Sequence, residues 1–132
     1  MCFKAPYFAS IRPRFEEMRP GFARVSMPKR RAVTNHIGTV HAIAMCNLAE
    51  IAAGTLTEIS IPATMRWLPK GMQVDYLRKA EGGVEATCTL PAVAEGPARD
   101  VPATVEVTDR GGALVCRAVI TMWVSPRKGI GV

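Results

Sequence analysis

A nearly uniform apolar stretch in the middle of the chain constrains the fold most. Residues 41–54 consist almost entirely of apolar side chains, with one carboxylate, Glu50, among them. A helix that is apolar on every side is normally buried, so we predict a central buried helix over 41–54, ending at Gly54. Because a buried, unpaired carboxylate is costly, we expect Glu50 to be paired, neutralised or functional.

Most of the remaining chain alternates between apolar and polar residues, which is typical of strands. Strands are predicted over residues 22–33, 67–79, 84–90, 101–107 and 114–124. Pro69-Lys70-Gly71 predicts a bulge in the second of these, and Asp109-Arg110-Gly111-Gly112 predicts a turn before the last. With one long helix, parallel winding is disfavoured. We predict an α+β fold in which a curved antiparallel sheet of about five to six strands wraps around the helix.

The length of 132 residues fits a single domain. We expect a helical N-terminal segment over 1–20, with an amphipathic helix from Ala9 to Met18, a core over 21–125 and a tail over 126–132. No apolar run reaches the roughly 18 residues of a membrane span, and the N-terminus lacks the layout of a secretory signal. The four cysteines are scattered, which argues against a metal site or a disulfide framework. We therefore expect a cytoplasmic protein without a bound metal.

The formal charge of +6 favours an anionic partner. The densest basic cluster is Lys29-Arg30-Arg31, and Arg66, Lys70 and Arg78 are further candidates. We find no nucleic-acid-binding motif, and aromatic residues are not interleaved with the basic ones, so nucleic acid is not expected. A ligand with several phosphates, such as coenzyme A, fits the charge better.

The loop before the helix carries a spaced motif. Asn35, Gly38 and His41 follow the pattern Asn-x-x-Gly-x-x-His, and Glu50 follows on the helix. Together with the predicted helix and sheet, this resembles the hotdog-fold thioesterases, whose signature is Asn-x-x-Gly-x-x-His-Gly-Gly followed by an acid. Ala42-Ile43 stands where that pattern has Gly-Gly. The stretch is most similar to the little-characterised Asn-His-x-Gly-Thr-x-His-Ala members of the family.

The resemblance implies a hydrolase that acts on acyl-CoA or an acyl carrier thioester, with coenzyme A as part of the substrate and no other cofactor. Thioester hydrolysis needs a nucleophile and a stabilised oxyanion. Glu50 is the candidate base or nucleophile, while Asn35 and His41 are candidates to orient the water or the carbonyl. The free amides of Ala42 and Ile43 at the helix N-terminus are the candidate oxyanion hole.

Three more residues complete the predicted site: His36 and Gly38 in the loop, and Asn47, which lies one turn from Glu50. His41 and Glu50 are nine residues apart, so they project from opposite sides of a helix that turns about 100° per residue. One subunit would not bring both to one substrate. We therefore predict a composite site in a homodimer, as the resemblance also implies; a dimer of dimers remains open.

Two other functions remain open at this point. His36 and Glu50 are fourteen residues apart, a spacing also found in hotdog dehydratases of 3-hydroxyacyl chains, although the accompanying proline- and glycine-rich stretch is missing. The second alternative is a non-catalytic acyl-CoA-binding protein, because the side chains of Ala42-Ile43 can close the approach to the carbonyl. Glu50 can also be a structural acid in an interface.

Overall fold

The computed structural model describes residues 13–27, 42–80 and 82–127. Its elements are β1 (Arg14–Arg19), β2 (Phe22–Met27), α1 (Ala42–Ser60), β3 (Met65–Tyr76), β4 (Val84–Thr89), β5 (Arg99–Asp109) and β6 (Leu114–Pro126). The six strands form one antiparallel sheet in the order β1-β2-β4-β5-β6-β3. The predicted α+β architecture, a curved antiparallel sheet with one helix, is confirmed.

Helix α1 packs on the inner face of the sheet and contacts all six strands. Ala44, Ala49, Ala52 and Ala53 are fully buried, and these small side chains let the helix lie close to the sheet. The largest fully buried side chains of the core are Met27, Leu48, Ile51, Leu56, Met65, Ile120 and Met122. Burying a side chain of this size contributes about 1.5–3 kcal/mol, so this contact between helix and sheet is the main source of stability.

The helix continues past its predicted end at Gly54 to Ser60. Gly54 is buried, and a Cβ atom added there would lie 3.2 Å from the indole of Trp67. The glycine is therefore explained by the close approach of a strand side chain, and its role as a helix terminator was wrongly predicted. The added turns bury Leu56 and Thr57, whose hydroxyl donates a 2.7 Å hydrogen bond to the carbonyl of Ala53.

Of the helix predicted for Ala9 to Met18, residues 13–18 are described, and they are not helical. Residues Arg14–Arg19 form β1, which pairs with β2 through a turn in which Gly21 has a φ of 86°. Phe15 and Met18 are three residues apart in this strand. A bulge between Phe15 and Glu17 gives the strand one extra residue, so both apolar side chains pack against the core.

Strand β3 lies at the edge of the sheet, and in the described part of the chain its strand neighbour is β6 alone. The predicted bulge is confirmed by a register shift between Pro69 and Gly71. Trp67, Met72, Val74 and Tyr76 are paired with the inward-facing residues Val124, Ile120, Ala118 and Cys116. These four β3 residues therefore share the face of the strand that is turned toward the helix.

The three strands predicted for the last third of the chain are observed as β4, β5 and β6, joined as an antiparallel meander. Asp109 organises the predicted turn by accepting hydrogen bonds from the amides of Gly111 and Ala113 at 3.0 and 3.1 Å. The strand predicted over 22–33 is observed as far as Met27, and its remainder lies outside the described residues. Over the three described ranges, no helix is long and apolar enough to cross a membrane.

Candidate functional site

One stripe of α1 faces the edge strand β3. Cys46, Glu50, Gly54 and Glu58 follow one another at four-residue spacing, which places them in a row along the helix. Glu50 and Glu58 are exposed, Cys46 is half-buried, and Gly54 is covered by Trp67. The predicted burial of Glu50 is wrong for the single chain, because the helix turns this stripe toward the side where the sheet ends.

The C-terminal end of the row is covered by Trp67. Its indole nitrogen donates a 2.7 Å hydrogen bond to Oε1 of Glu58. The ring lies so close over Gly54 that a Cβ atom added there would be 3.2 Å from it, and the ring would have to shift by a few tenths of an ångström. The indole is therefore fixed from two directions at the level of Gly54 and Glu58.

The N-terminal end of the row lies beside Tyr76, which is 50% exposed and close enough to Cys46 for the hydroxyl and the thiol to influence each other's pKa. Burial and the negative charge of Glu50 raise the pKa of Cys46, while the hydrogen bond from Tyr76 acts in the opposite direction. Burial also raises the pKa of Cys116, the register partner of Tyr76, to about 11. Both thiols are protonated at neutral pH, so neither is suited to act as the nucleophile.

Glu50 lies between these two ends. Met72, which is 36% exposed, and Val74 occupy the same face of β3 between Trp67 and Tyr76. We call the space between α1 and β3 the Glu50 groove, defined by Cys46, Glu50, Gly54 and Glu58 on the helix and Trp67, Met72, Val74 and Tyr76 on the strand. Among the described residues, no basic side chain forms an ion pair with Glu50. The groove therefore presents two exposed carboxylates: Glu58, which accepts the hydrogen bond from Trp67, and Glu50, which lies between Trp67 and Tyr76.

Charges are distributed unevenly along the groove. Beyond Tyr76 the chain continues to Arg78 and Lys79, both exposed, at the end of the groove where α1 begins. The opposite end carries the carboxylate of Glu58. Two exposed cationic residues thus follow Tyr76, at what we call the cationic end of the groove, and the carboxylate of Glu58 lies beside Trp67.

The basic residues predicted as phosphate contacts lie in different places relative to the groove. Lys70 lies 3.1 Å from both carboxylate oxygens of Asp100 and 5.2 Å from the centroid of the Trp123 ring, so it is engaged away from the groove. Arg66 approaches Ser125 at 3.5 Å. Arg78 lies at the cationic end of the groove, and Lys29-Arg30-Arg31 lies outside the described residues.

The sequence-predicted site residues are described only in part. Asn35, His36, Gly38 and His41 lie outside the described residues. Ala42 and Ile43 are the first two residues of α1. Asn47 is half-buried one turn before Glu50.

The first turn and Glu50 are well separated along one helix. Ala42 and Ile43 precede Glu50 by eight and seven residues, which is about 10–12 Å along the helix axis at 1.5 Å per residue. That distance is too long for the amides and the carboxylate of one helix to contact the same carbonyl group.

Sequence reasoning missed the residues that shape the groove: Trp67, Tyr76 and Glu58. Cys46, Glu50, Gly54 and Glu58 follow one another at four-residue spacing, and this stripe was visible in the sequence. The contact of that stripe with two aromatic residues of β3 could not be predicted from the sequence. It depends on the position of β3 at the edge of the sheet, beside β6.

A cavity of about 720 Å³ lies elsewhere, at the ends of β2, β4 and β5. Arg14, Met27, Glu85 and Arg110 are among its lining residues, and none of the lining residues belongs to the Glu50 groove. Within the described ranges, no group of three or more His, Cys, Asp or Glu residues is placed to hold a metal ion.

Comparison with known proteins identifies the family. The family described as a domain of unknown function, DUF4442, matches residues 1–124. A protein whose crystal structure comes from a genomics project is 53% identical, with a TM-score of 0.85, over 92% of this chain and 82% of that chain. No curated protein matches the chain.

Two solved thioesterases share the architecture at low sequence identity. A Haemophilus influenzae thioesterase is 14% identical, with a TM-score of 0.82, over 99% of this chain and 90% of that chain. A mutant thioesterase from Staphylococcus aureus is 18% identical, with a TM-score of 0.79, over 92% of this chain and 100% of that chain. At these identities the likeness shows the fold. The chain belongs to the DUF4442 family and has the hotdog fold of these thioesterases.

Proposed function

We propose that the protein hydrolyses acyl-CoA or a related acyl thioester, with Glu50 as the catalytic carboxylate. The observation that carries this proposal is the position of Glu50: it lies in the Glu50 groove between Trp67 and Tyr76, with no ion-pair partner among the described residues. The thioesterases that share the fold support the reaction class.

The chemistry follows from the groups in the groove. As a general base, Glu50 takes a proton from a water molecule as the water oxygen attacks the thioester carbonyl. The tetrahedral intermediate then collapses, the carbon–sulfur bond breaks, and the thiolate leaves and is protonated. As a nucleophile, Glu50 would instead attack the carbonyl and expel the thiolate to form an anhydride, which water then cleaves to release the carboxylic acid and restore Glu50. In both routes the negative charge on the carbonyl oxygen is stabilised by backbone amides at a helix N-terminus, for which Ala42 and Ile43 are the candidates.

The second subunit of a homodimer completes the site in this proposal. The separation between Glu50 and the first turn of its own helix calls for amides from another helix. Strand β3 offers a means of association, because it is an edge strand with Leu68 63% and Met72 36% exposed. Pairing of two β3 strands continues the sheet from one subunit to the other and brings the two Glu50 grooves to the interface. In this proposal Asn35, His36, Gly38 and His41 act from the residues that precede the partner helix in sequence.

A thioester panel tests the reaction class. The purified protein is mixed with acyl-CoA substrates, and free coenzyme A is detected with a thiol reagent, while loss of enoyl absorbance reports hydration of an enoyl-CoA. We expect saturable release of coenzyme A. Loss of enoyl absorbance without thiol release would instead identify a hydratase, and tight binding of acyl-CoA with no turnover would identify a binding protein.

A further inference from the structure

We infer that Trp67 limits the length of the acyl group that the Glu50 groove accepts, so that the substrates are short-chain acyl thioesters. This inference rests on the proposed function. It draws on three features: the charge at the two ends of the groove, the distance from Glu50 to Trp67, and the contacts that hold the indole in place.

The charges set the direction in which a substrate lies. Coenzyme A carries several phosphate groups, which are attracted to Arg78 and Lys79 and repelled by Glu58. The nucleotide end of the substrate therefore lies at the N-terminal end of the groove. The acyl group lies at the other end, between Met72 and Trp67, where the side chains on β3 are apolar.

The distance from Glu50 to Trp67 sets the length. The indole covers Gly54, which is four residues beyond Glu50, or about 6 Å along the helix axis. Because carbon–carbon bonds are about 1.5 Å long, that space holds roughly four carbon atoms beyond the carbonyl. Longer acyl chains meet the face of the indole.

Two contacts position the indole at this end of the groove. Its nitrogen donates a 2.7 Å hydrogen bond to Glu58, and one carbon of its ring lies 3.2 Å from the position of a Cβ on Gly54. Moving the ring away from the helix would break the hydrogen bond and expose apolar surface of both partners. Gly54 matters here because a larger residue would push the ring outward.

Chain-length profiles of three proteins test this role. The value of kcat/KM is measured for butyryl-, hexanoyl-, decanoyl- and palmitoyl-CoA. We expect the wild-type value to fall at least tenfold between hexanoyl and decanoyl. Trp67→Ala should raise the ratio of decanoyl to butyryl at least tenfold. The matched control, Trp123→Ala, removes the other tryptophan of the chain, which lies on the outer face, and should leave that ratio within twofold.

A binding measurement separates this inference from the proposed function and does not require the alanine variant to fold. Trp123→Phe leaves Trp67 as the one tryptophan, and its emission is followed during titration with non-hydrolysable acyl-CoA thioethers. The butyryl analogue should shift the emission, and the decanoyl analogue should bind at least tenfold more weakly. Equal affinity for the two lengths would overturn the inference, as would an unchanged ratio in Trp67→Ala. Failure to hydrolyse any thioester would contradict the proposed function alone.

Discussion

The indole nitrogen of Trp67 donates a hydrogen bond to Glu58 and thereby ties the edge strand β3 to the last turns of α1. The contact is possible because Gly54, one turn earlier on the helix, has no side chain beneath the ring. Nine residues further along β3, Tyr76 contacts Cys46 near the start of the same helix. The strand thus runs along the helix with an aromatic contact at each end and leaves Glu50 accessible between them.

The contact between Trp67 and Gly54 predicts coupling between two substitutions. In the wild type, Gly54→Ala gains about 1 kcal/mol of helix propensity but forces a tight contact at 3.2 Å, so the net change in the free energy of unfolding should be small or unfavourable. In a Trp67→Ala background the tight contact is absent, and Gly54→Ala should stabilise by about 1 kcal/mol. Urea unfolding of the four proteins measures this cycle. Equal effects in both backgrounds would contradict the proposed packing.

The charge of Glu50 should be measurable through Cys46. Burial and Glu50 raise the pKa of Cys46, and the hydrogen bond from Tyr76 lowers it. Glu50→Gln should therefore move the pH profile of thiol alkylation to lower pH, and Tyr76→Phe should move it to higher pH, because the thiolate is the reactive form. Alkylation is followed by mass spectrometry of the peptide that contains Cys46, in a Cys2→Ser protein. A profile that is unchanged by both substitutions would show that these groups are not neighbours.

The position of the basic residues predicts which of them recognise coenzyme A. Arg78→Gln and Lys79→Gln should each weaken coenzyme A binding by about threefold to fivefold, the effect of losing an exposed ion pair of up to about 1 kcal/mol. Lys70→Gln is the matched control, because Lys70 is engaged with Asp100 away from the groove. Calorimetry at increasing salt should also show weaker binding. Affinity that is insensitive to salt, or an equal loss in Lys70→Gln, would contradict this assignment.

Complementation tests whether the site is shared between two subunits. Asn35→Ala should slow hydrolysis about a hundredfold if Asn35 polarises the carbonyl, and Glu50→Gln removes the carboxylate. When the two inactive variants are co-expressed and associate at random in a two-fold symmetric dimer, half of the dimers are mixed and each has one intact site, so about a quarter of the wild-type activity should return. Light scattering should show twice the mass of one chain. Mixed dimers without activity would indicate that the two residues serve the same site from one subunit.

The local sequence pattern was sufficient to predict most strands of the sheet and the presence of the central helix. The alternation in β4 to β6 was readable because each of these strands buries one face. The bulge after Pro69 could be predicted because proline cannot donate a hydrogen bond to the neighbouring strand and glycine within a strand often marks a bulge. The strand alternation and the bulge are determined by residues that are close together in the sequence.

Other features depended on contacts that are distant in the sequence. Gly54 fits a helix terminus by local rules, yet it lies inside the helix because Trp67, thirteen residues later, packs on it. Residues 14–19 could satisfy a helical spacing, yet pairing with β2 makes them a strand. The exposure of Glu50 followed from neither composition nor periodicity, because it depends on which helix stripe faces the edge of the sheet.

The central claim, that Glu50 is the catalytic carboxylate of a thioester hydrolase, is tested most directly by the rate of butyryl-CoA hydrolysis in two carboxylate variants. Glu50→Gln keeps the shape of the side chain and removes its charge, while Glu106→Gln makes the same change on the outer face of β5, where Glu106 lies 2.8 Å from Arg117. With unfolding midpoints close to wild type, Glu50→Gln should lose at least about a hundredfold in kcat, as expected when a general base is removed, and Glu106→Gln should stay within twofold of the wild-type value. A folded Glu50→Gln protein with near-normal turnover would contradict the claim.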